Sequence, residues 1–116
     1  MVFDCRFLKN PNWVSGLKDL NGTDDEVKGY LHKDKSWASF KKNILQMLFT
    51  IIPAFEREGK SYLSIGFGCT GGQHRSVFVA EQLYKHLSDK KQDVRILHTI
   101  LPVSYTHLTL PTTEAV

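Results

Sequence analysis

The sequence predicts an α/β fold: a single domain with a βαβ unit, a mostly parallel sheet flanked by helices, and an anion-binding loop at a strand end. Three observations carry this. A strand-like run, SYLSIGFG (61–68), passes through a glycine-rich turn directly into a helical pattern from about Arg75 to Ser88. A second strand-like run, DVRILHTI (93–100), follows. Strand, helix and strand with short joins imply parallel strands and a right-handed crossover. Finally, 116 residues with 41% hydrophobic and 23% charged content suit one core and are too few for two.

From the N-terminus, MVFDCRFL has the branched and aromatic content of a short strand, stopped by KNPNW. Cys5 alternates there with Phe3 and Phe7 and is expected as a buried small hydrophobe. Asn21-Gly22 marks a turn, and a helix should start at Thr23 or Asp24 with acids in its first turn. A longer helix begins at Ser36, which can cap it. Trp37, Phe40, Ile44, Leu45, Leu48, Ile51 and Ile52 recur at three- and four-residue spacing behind it. Pro53 either kinks or splits that helix, and Gly59 closes it. The helix after the glycine turn should bury Val77, Ala80, Leu83, Tyr84 and Leu87. Trp13 and Trp37 read as packing aromatics, whereas His32 and His86 read as exposed. His98 ends the last strand and is expected on the side of the loop.

Composition excludes several classes of function. The formal net charge of +3 and pI near 8.9 allow phosphate-rich partners without requiring them. No basic block is long enough for a nucleic-acid arm; pairs such as Lys41-Lys42 and Lys90-Lys91 belong on a solvated face. The longest apolar run, Ile44 to Ile52, falls short of a membrane span and meets Pro53. No signal-peptide layout opens the chain, so a cytoplasmic location without membrane contact is expected. Cys5 and Cys69 are too few for a disulfide framework, and no four-ligand metal spacing occurs.

The turn itself reads Gly68-Cys69-Thr70-Gly71-Gly72-Gln73-His74-Arg75-Ser76. A strand that runs through glycines into a helix N-terminus leaves backbone N–H groups convergent, at the positive end of the helix dipole. That geometry suits an anion, most often phosphate. Gly71 and Gly72 let the backbone approach the ligand, Arg75 offers a two-pronged grip, and Thr70, Ser76 and His74 add hydrogen bonds. A phosphorylated small molecule is the expected ligand. EGKS (58–61) imitates a P-loop but precedes a strand instead of following one. A second alternative is chemical. Cys69, Gly72, Arg75 and Ser76 match the loop of cysteine-dependent phosphatases, in which Cys69 would attack phosphorus and Arg75 hold the oxygens. The histidine usual before that cysteine is absent, and no aspartate stands on a recognisable general-acid loop. A third reading is an RNA-binding module acting by charge alone.

Residues 2 to about 98 resemble the C-terminal domain of the RapZ RNase-adapter family and its YvcJ-type nucleotide-binding relatives. The resemblance rests on FDCRFLKNP, LKDLNGTDDEV, FEREGKSYLSIGFGCTGGQHRSV and VRILH. It implies a non-enzymatic regulatory domain that binds an amino-sugar phosphate such as glucosamine-6-phosphate, together with small RNA and an RNase, in a homo-oligomer. It also implies an ATP- or GTP-binding N-terminal domain that this stretch lacks, and hence no cofactor here. Carried over are Cys69, Thr70, Gly71, Gly72, His74 and Arg75 in the loop, and Arg6, Asn10 and Asn12 after the first strand. Asn12 stands where many relatives have an aromatic residue or histidine.

The domain is therefore assigned to residues 1–101. Residues 102–116, PVSYTHLTLPTTEAV, contain no Lys or Arg and are crowded with threonine. Pro102 through Thr112 back-translate into a string that resembles the end of a transposase-type sequencing adapter, and the whole segment is expected to be non-native. That origin takes His107 out of the functional candidates. The segment should lie extended and loosely packed outside the sheet, with Pro111 blocking a ladder.

Overall fold

The first strand, β1 (Val2–Asp4), is shorter than the sequence pattern suggests. Asp4 ends it: its carboxylate accepts from the Arg6 amide at 3.0 Å and turns Cys5–Phe7 into a 3-10 turn. Asn10 repeats the device, with Oδ1 accepting from the Asn12 amide at 3.0 Å to open the turn Pro11–Trp13. Such side-chain bonds compete directly with a β ladder. The computed structural model describes residues 1–59, 62–70, 74–89, 95–98 and 105–111. Gly71, Gly72 and Gln73, the ends of the 102–116 tail and the Lys90-Lys91 pair lie outside the described residues.

Helix α1 (Asp25–His32) starts where the Asn21-Gly22 turn and the acids Asp25 and Glu26 place it. Asn21 Oδ1 accepts from the Thr23 amide at 2.7 Å, and the Asp24 carboxylate accepts from the Asn21 amide at 2.8 Å. Helix α2 (Lys35–Arg57) is capped by Asp34, not by Ser36: Asp34 Oδ1 accepts from the Ser36 amide at 2.9 Å. Pro53 does not split it, and the helix runs on to Arg57. Gly59, at φ 73°, closes it in the left-handed conformation that glycine adopts without strain.

Strand β2 (Tyr62–Gly68), helix α3 (Arg75–Asp89), strand β3 (Arg95–His98) and strand β4 (Tyr105–Pro111) complete the chain. The sheet order is β1-β2-β4-β3. β1 and β2 are parallel, with Val2, Phe3 and Asp4 opposite Gly66, Phe67 and Gly68. The other two pairings, β2 with β4 and β4 with β3, are antiparallel. The architecture is α/β as expected, but the sheet is mixed rather than mostly parallel. β2 and β3 run in the same direction, yet they are separated by β4.

The tail is the cause of that correction. Tyr105 to Pro111 oppose Gly68 to Tyr62 along the whole of β2. Tyr, Thr and Leu are adequate strand formers, and Pro111 stands at the last position, where a missing N–H costs the ladder least. The expectation that this segment stays out of the sheet therefore fails for Tyr105–Pro111.

One core fills the space between sheet and helices. Trp37, Ile44, Leu45, Leu48 and Ile52 from α2 meet Leu63, Ile65 and Phe67 from β2. Helix α3 adds Val79, Ala80, Leu83 and Leu87. Phe78, outside the expected stripe, is fully buried with its ring 4.9 Å from Trp37 and 5.0 Å from His32. Helix α3 is thus covered on two sides, by the sheet and by the α1–α2 pair, while Phe40, Ile51 and Tyr84 are only half-buried. Cys5 is fully buried, as its pattern suggests. Trp13, at the end of the turn Pro11–Trp13, is 82% exposed and lies outside the core, contrary to the packing role expected of it.

Candidate functional site

Because β1 and β2 are parallel and in register to Asp4 and Gly68, both strands end at the same edge of the sheet. The segments that follow them, 5–12 on one side and residues 69, 70 and 74–76 on the other, are brought together there despite lying more than sixty residues apart. Ligands in open α/β sheets bind at such strand ends.

Arg75 joins the two segments. Only 5% exposed at the first position of α3, it donates through Nη1 to the backbone carbonyls of Arg6 and Leu8, each at 3.1 Å. His74, 6% exposed, places Nε2 at 3.0 Å from the Leu17 carbonyl. A carbonyl only accepts, so the proton sits on Nε2. The Phe78 amide donates to the His74 carbonyl at 2.9 Å, which starts α3. Gly22 lies against that bond: a Cβ there would meet the His74 carbonyl oxygen and the Phe78 amide nitrogen, both at 2.4 Å. Only glycine lets the 20–24 turn close over the start of α3.

Cys69 and Ser76 form the loop's own clasp. The Ser76 amide donates to Cys69 Sγ at 3.3 Å, and the thiol donates to Ser76 Oγ at 3.2 Å. Ser76 is fully buried and Thr70 is exposed. One N–H of the first turn of α3 is thereby satisfied by the Cys69 sulfur.

Arg6 is exposed and forms a fork with Asp4. Nε reaches both carboxylate oxygens at 2.9 Å, and Nη2 reaches Oδ2 at 2.6 Å. Those bonds, from the side chain and the amide of Arg6, hold the Asp4 carboxyl down at about 2. Asn10 uses Oδ1 to cap its own turn. The sequence-derived residues Arg6, Cys69, Thr70, His74, Arg75 and Ser76 thus share one end of the fold. Asn10 sits on the next turn of the 5–12 segment, and Gly71 and Gly72 lie outside the described residues. Among the described residues no group of His, Cys, Asp and Glu is arranged to hold a metal ion.

Two supports were missed in the sequence. Asp34, 7% exposed, accepts from the Lys9 amide at 2.9 Å through Oδ2 and so fixes the 5–12 segment to α2. Burial opposes its ionisation, but the amides of Lys9 and Ser36 outweigh it and leave the carboxyl below its usual range. An aspartate just ahead of a helical pattern was the available signal. The Leu17 carbonyl carries no sequence signal, since any residue supplies one. A cleft of 370 Å³ borders α1 and α3, with Thr23, Lys28, Glu81 and Lys85 in its wall, and shares no residue with the strand-end site.

The geometry lends no support to phosphatase chemistry. Among the described residues no aspartate or glutamate is hydrogen-bonded to the Cys69–Ser76 pair, so the general acid that such chemistry needs is not in place.

What fold and site together define is an α/β domain whose two strand-end segments are locked around a helix N-terminus. The chain belongs to the RapZ C-terminal domain family, whose model matches residues 1–102. It is 49% identical over 102 residues to a nucleotide-binding protein of Ruegeria sp. (strain TM1040), covering 88% of this chain and 34% of that protein. It is 50% identical over 98 residues to one of Roseobacter denitrificans, covering 84% and 33%. Against one of Dinoroseobacter shibae it is 55% identical over 83 residues, covering 72% and 28%. The chain thus spans about a third of the length of these relatives. No helix of the described residues is long and apolar enough to cross a membrane.

Proposed function

We propose that this domain is a regulatory sensor that binds a phosphorylated metabolite, an amino-sugar phosphate such as glucosamine-6-phosphate, at the 69–76 loop. The carrying observation is the N-terminus of α3, where the Ser76 amide is turned toward Cys69 beside the buried cation of Arg75. With Nη1 spent on carbonyls, the grip on phosphate falls to the Nε–Nη2 edge of Arg75, the side-on fork that guanidinium also offers. Thr70 and the amides of residues 70–75 supply the remaining donors, and Arg6 and Asn10 border the sugar. In this reading the domain binds its ligand without catalysis and carries no cofactor of its own.

In the longer protein the sensor acts beside a nucleotide-binding portion for ATP or GTP. The name shared by the relatives supports this. Small RNA and an RNase are its proposed macromolecular partners, within a cytoplasmic homo-oligomer. Residues 102–116 are proposed to be non-native, in keeping with a family match that reaches residue 102.

The test is calorimetric titration with glucosamine-6-phosphate of the parent and of Arg75→Lys, which keeps the charge and loses the fork. Loss of a charge-assisted contact worth about 1.5–3 kcal/mol should weaken binding by about tenfold or more. Unchanged affinity removes Arg75 from the site.

A further inference from the structure

The two cysteines directly follow the paired ends of β1 and β2. Phe3 opposes Phe67 and Asp4 opposes Gly68 in the parallel β1–β2 pair, so Cys5 and Cys69 are the next residues on each chain. The Phe3 and Phe67 rings stack at 5.8 Å and 20°, which shows that these alternate positions share a face. Cys5 is fully buried in the core, and half-buried Cys69 packs against the same cluster. The last paired residues, Asp4 and Gly68, immediately precede the cysteines, so the two open segments that leave the sheet side by side; a disulfide between them needs a Cα separation of roughly 4.4–6.8 Å. Burial, with a smaller contribution from nearby Cys69, pushes the Cys5 thiol up to about 12. Cys5, fully buried, is out of reach of an external oxidant, and half-buried Cys69 is the sulfur that a small oxidant can reach.

We propose that Cys69 is a site of oxidation by hydroperoxides, and that Cys5 resolves it to an intramolecular disulfide. In the first step Cys69 Sγ attacks a peroxide oxygen. The O–O bond breaks, one oxygen stays on sulfur as the sulfenic acid, and the other leaves as hydroxide, which takes the Cys69 thiol proton to become water. In the second, Cys5 Sγ attacks Cys69 Sγ: the S–S bond forms, the S–O bond breaks, and the hydroxide leaves with the Cys5 proton as a second water. Two thiols lose two electrons and one peroxide gains them. The disulfide would draw Cys69 away from the Ser76 amide and hydroxyl and so open the clasp at the start of α3. The consequence for ligand binding, a loss on oxidation, rests on the phosphate-sensor reading; the disulfide itself does not.

The full chain is treated with hydrogen peroxide, its remaining thiols are alkylated, and the products are followed by intact mass and peptide mapping. The expected result is a monomer lighter by two hydrogens, with Cys5 and Cys69 in one linked peptide that dithiothreitol separates. Cys5→Ala should instead accumulate sulfenic and sulfinic acid at Cys69. If that variant does not fold, the linked peptide of the parent decides alone. Parent protein with both thiols still alkylated, with a free Cys5 beside sulfinic Cys69, or with only intermolecular Cys69 dimers would overturn the proposal. A linked peptide in a protein that never bound glucosamine-6-phosphate would sink the ligand reading and leave the redox site standing.

Discussion

At Arg75 a guanidinium that is 5% exposed holds two main-chain carbonyls from a segment nearly seventy residues earlier. Replacing it with methionine keeps much of the volume and leaves both carbonyls without their donor. Unfolding in urea should show a loss of about 1–3 kcal/mol per stranded group at most. Gly22 is as constrained by space as Arg75 is by charge, since a methyl there would lie 2.4 Å from two backbone atoms. Gly22→Ala should therefore cost about 1–3 kcal/mol, the usual penalty of overpacking, although a solvent-exposed Gly→Ala normally stabilises a helix or turn. Trp13 is the opposite case. At 82% exposure it has little packing to lose, and Trp13→Ala should leave the midpoint within about 0.5 kcal/mol of the parent.

Among the elements, α2 and α3 were legible because their apolar residues recur on a helical period over many residues, a strong and local signal. Their buried faces were legible in part. Phe78 lies off the expected stripe of α3 and is buried only because α1 and α2 cover a second side, which no local pattern reveals. The caps were misplaced by two residues where a stronger acceptor, Asp34, stands ahead of Ser36. That aspartate gives the 5–12 segment its acid sensitivity. Its carboxyl ionises more readily folded than unfolded, so its contribution is complete above the unfolded value of about 3.9 and fades as pH falls through the lower folded value. Asp34→Asn should be clearly less stable than the parent at neutral pH, and the gap should narrow as pH falls below the unfolded value of about 3.9. A gap that stays constant with pH would show that the charge of Asp34 contributes nothing. Pro53 offers a simpler test, since it is exposed within α2 and removes one helical hydrogen bond. Pro53→Ala should raise the thermal midpoint.

For the whole molecule, which residues gather at the strand ends was largely legible in the sequence, and the order of the sheet was not. The loop residues are contiguous in sequence and carry their chemistry openly, whereas strand order depends on pairings between distant segments. The reading that set aside residues 102–116 also set aside β4, which separates β2 from β3 and pairs with both. Truncation after Leu101 removes both of those ladders, so it should lower the thermal midpoint by several degrees at least; an unchanged midpoint would mean that β4 contributes nothing to stability. The central claim concerns the loop, and its most direct measurement is calorimetric titration of the intact chain with glucosamine-6-phosphate and, in parallel, with glucosamine. The account predicts saturable binding of the phosphorylated sugar, at one site per chain, and no detectable binding of the sugar alone. Equal binding of both, or of neither, would contradict it.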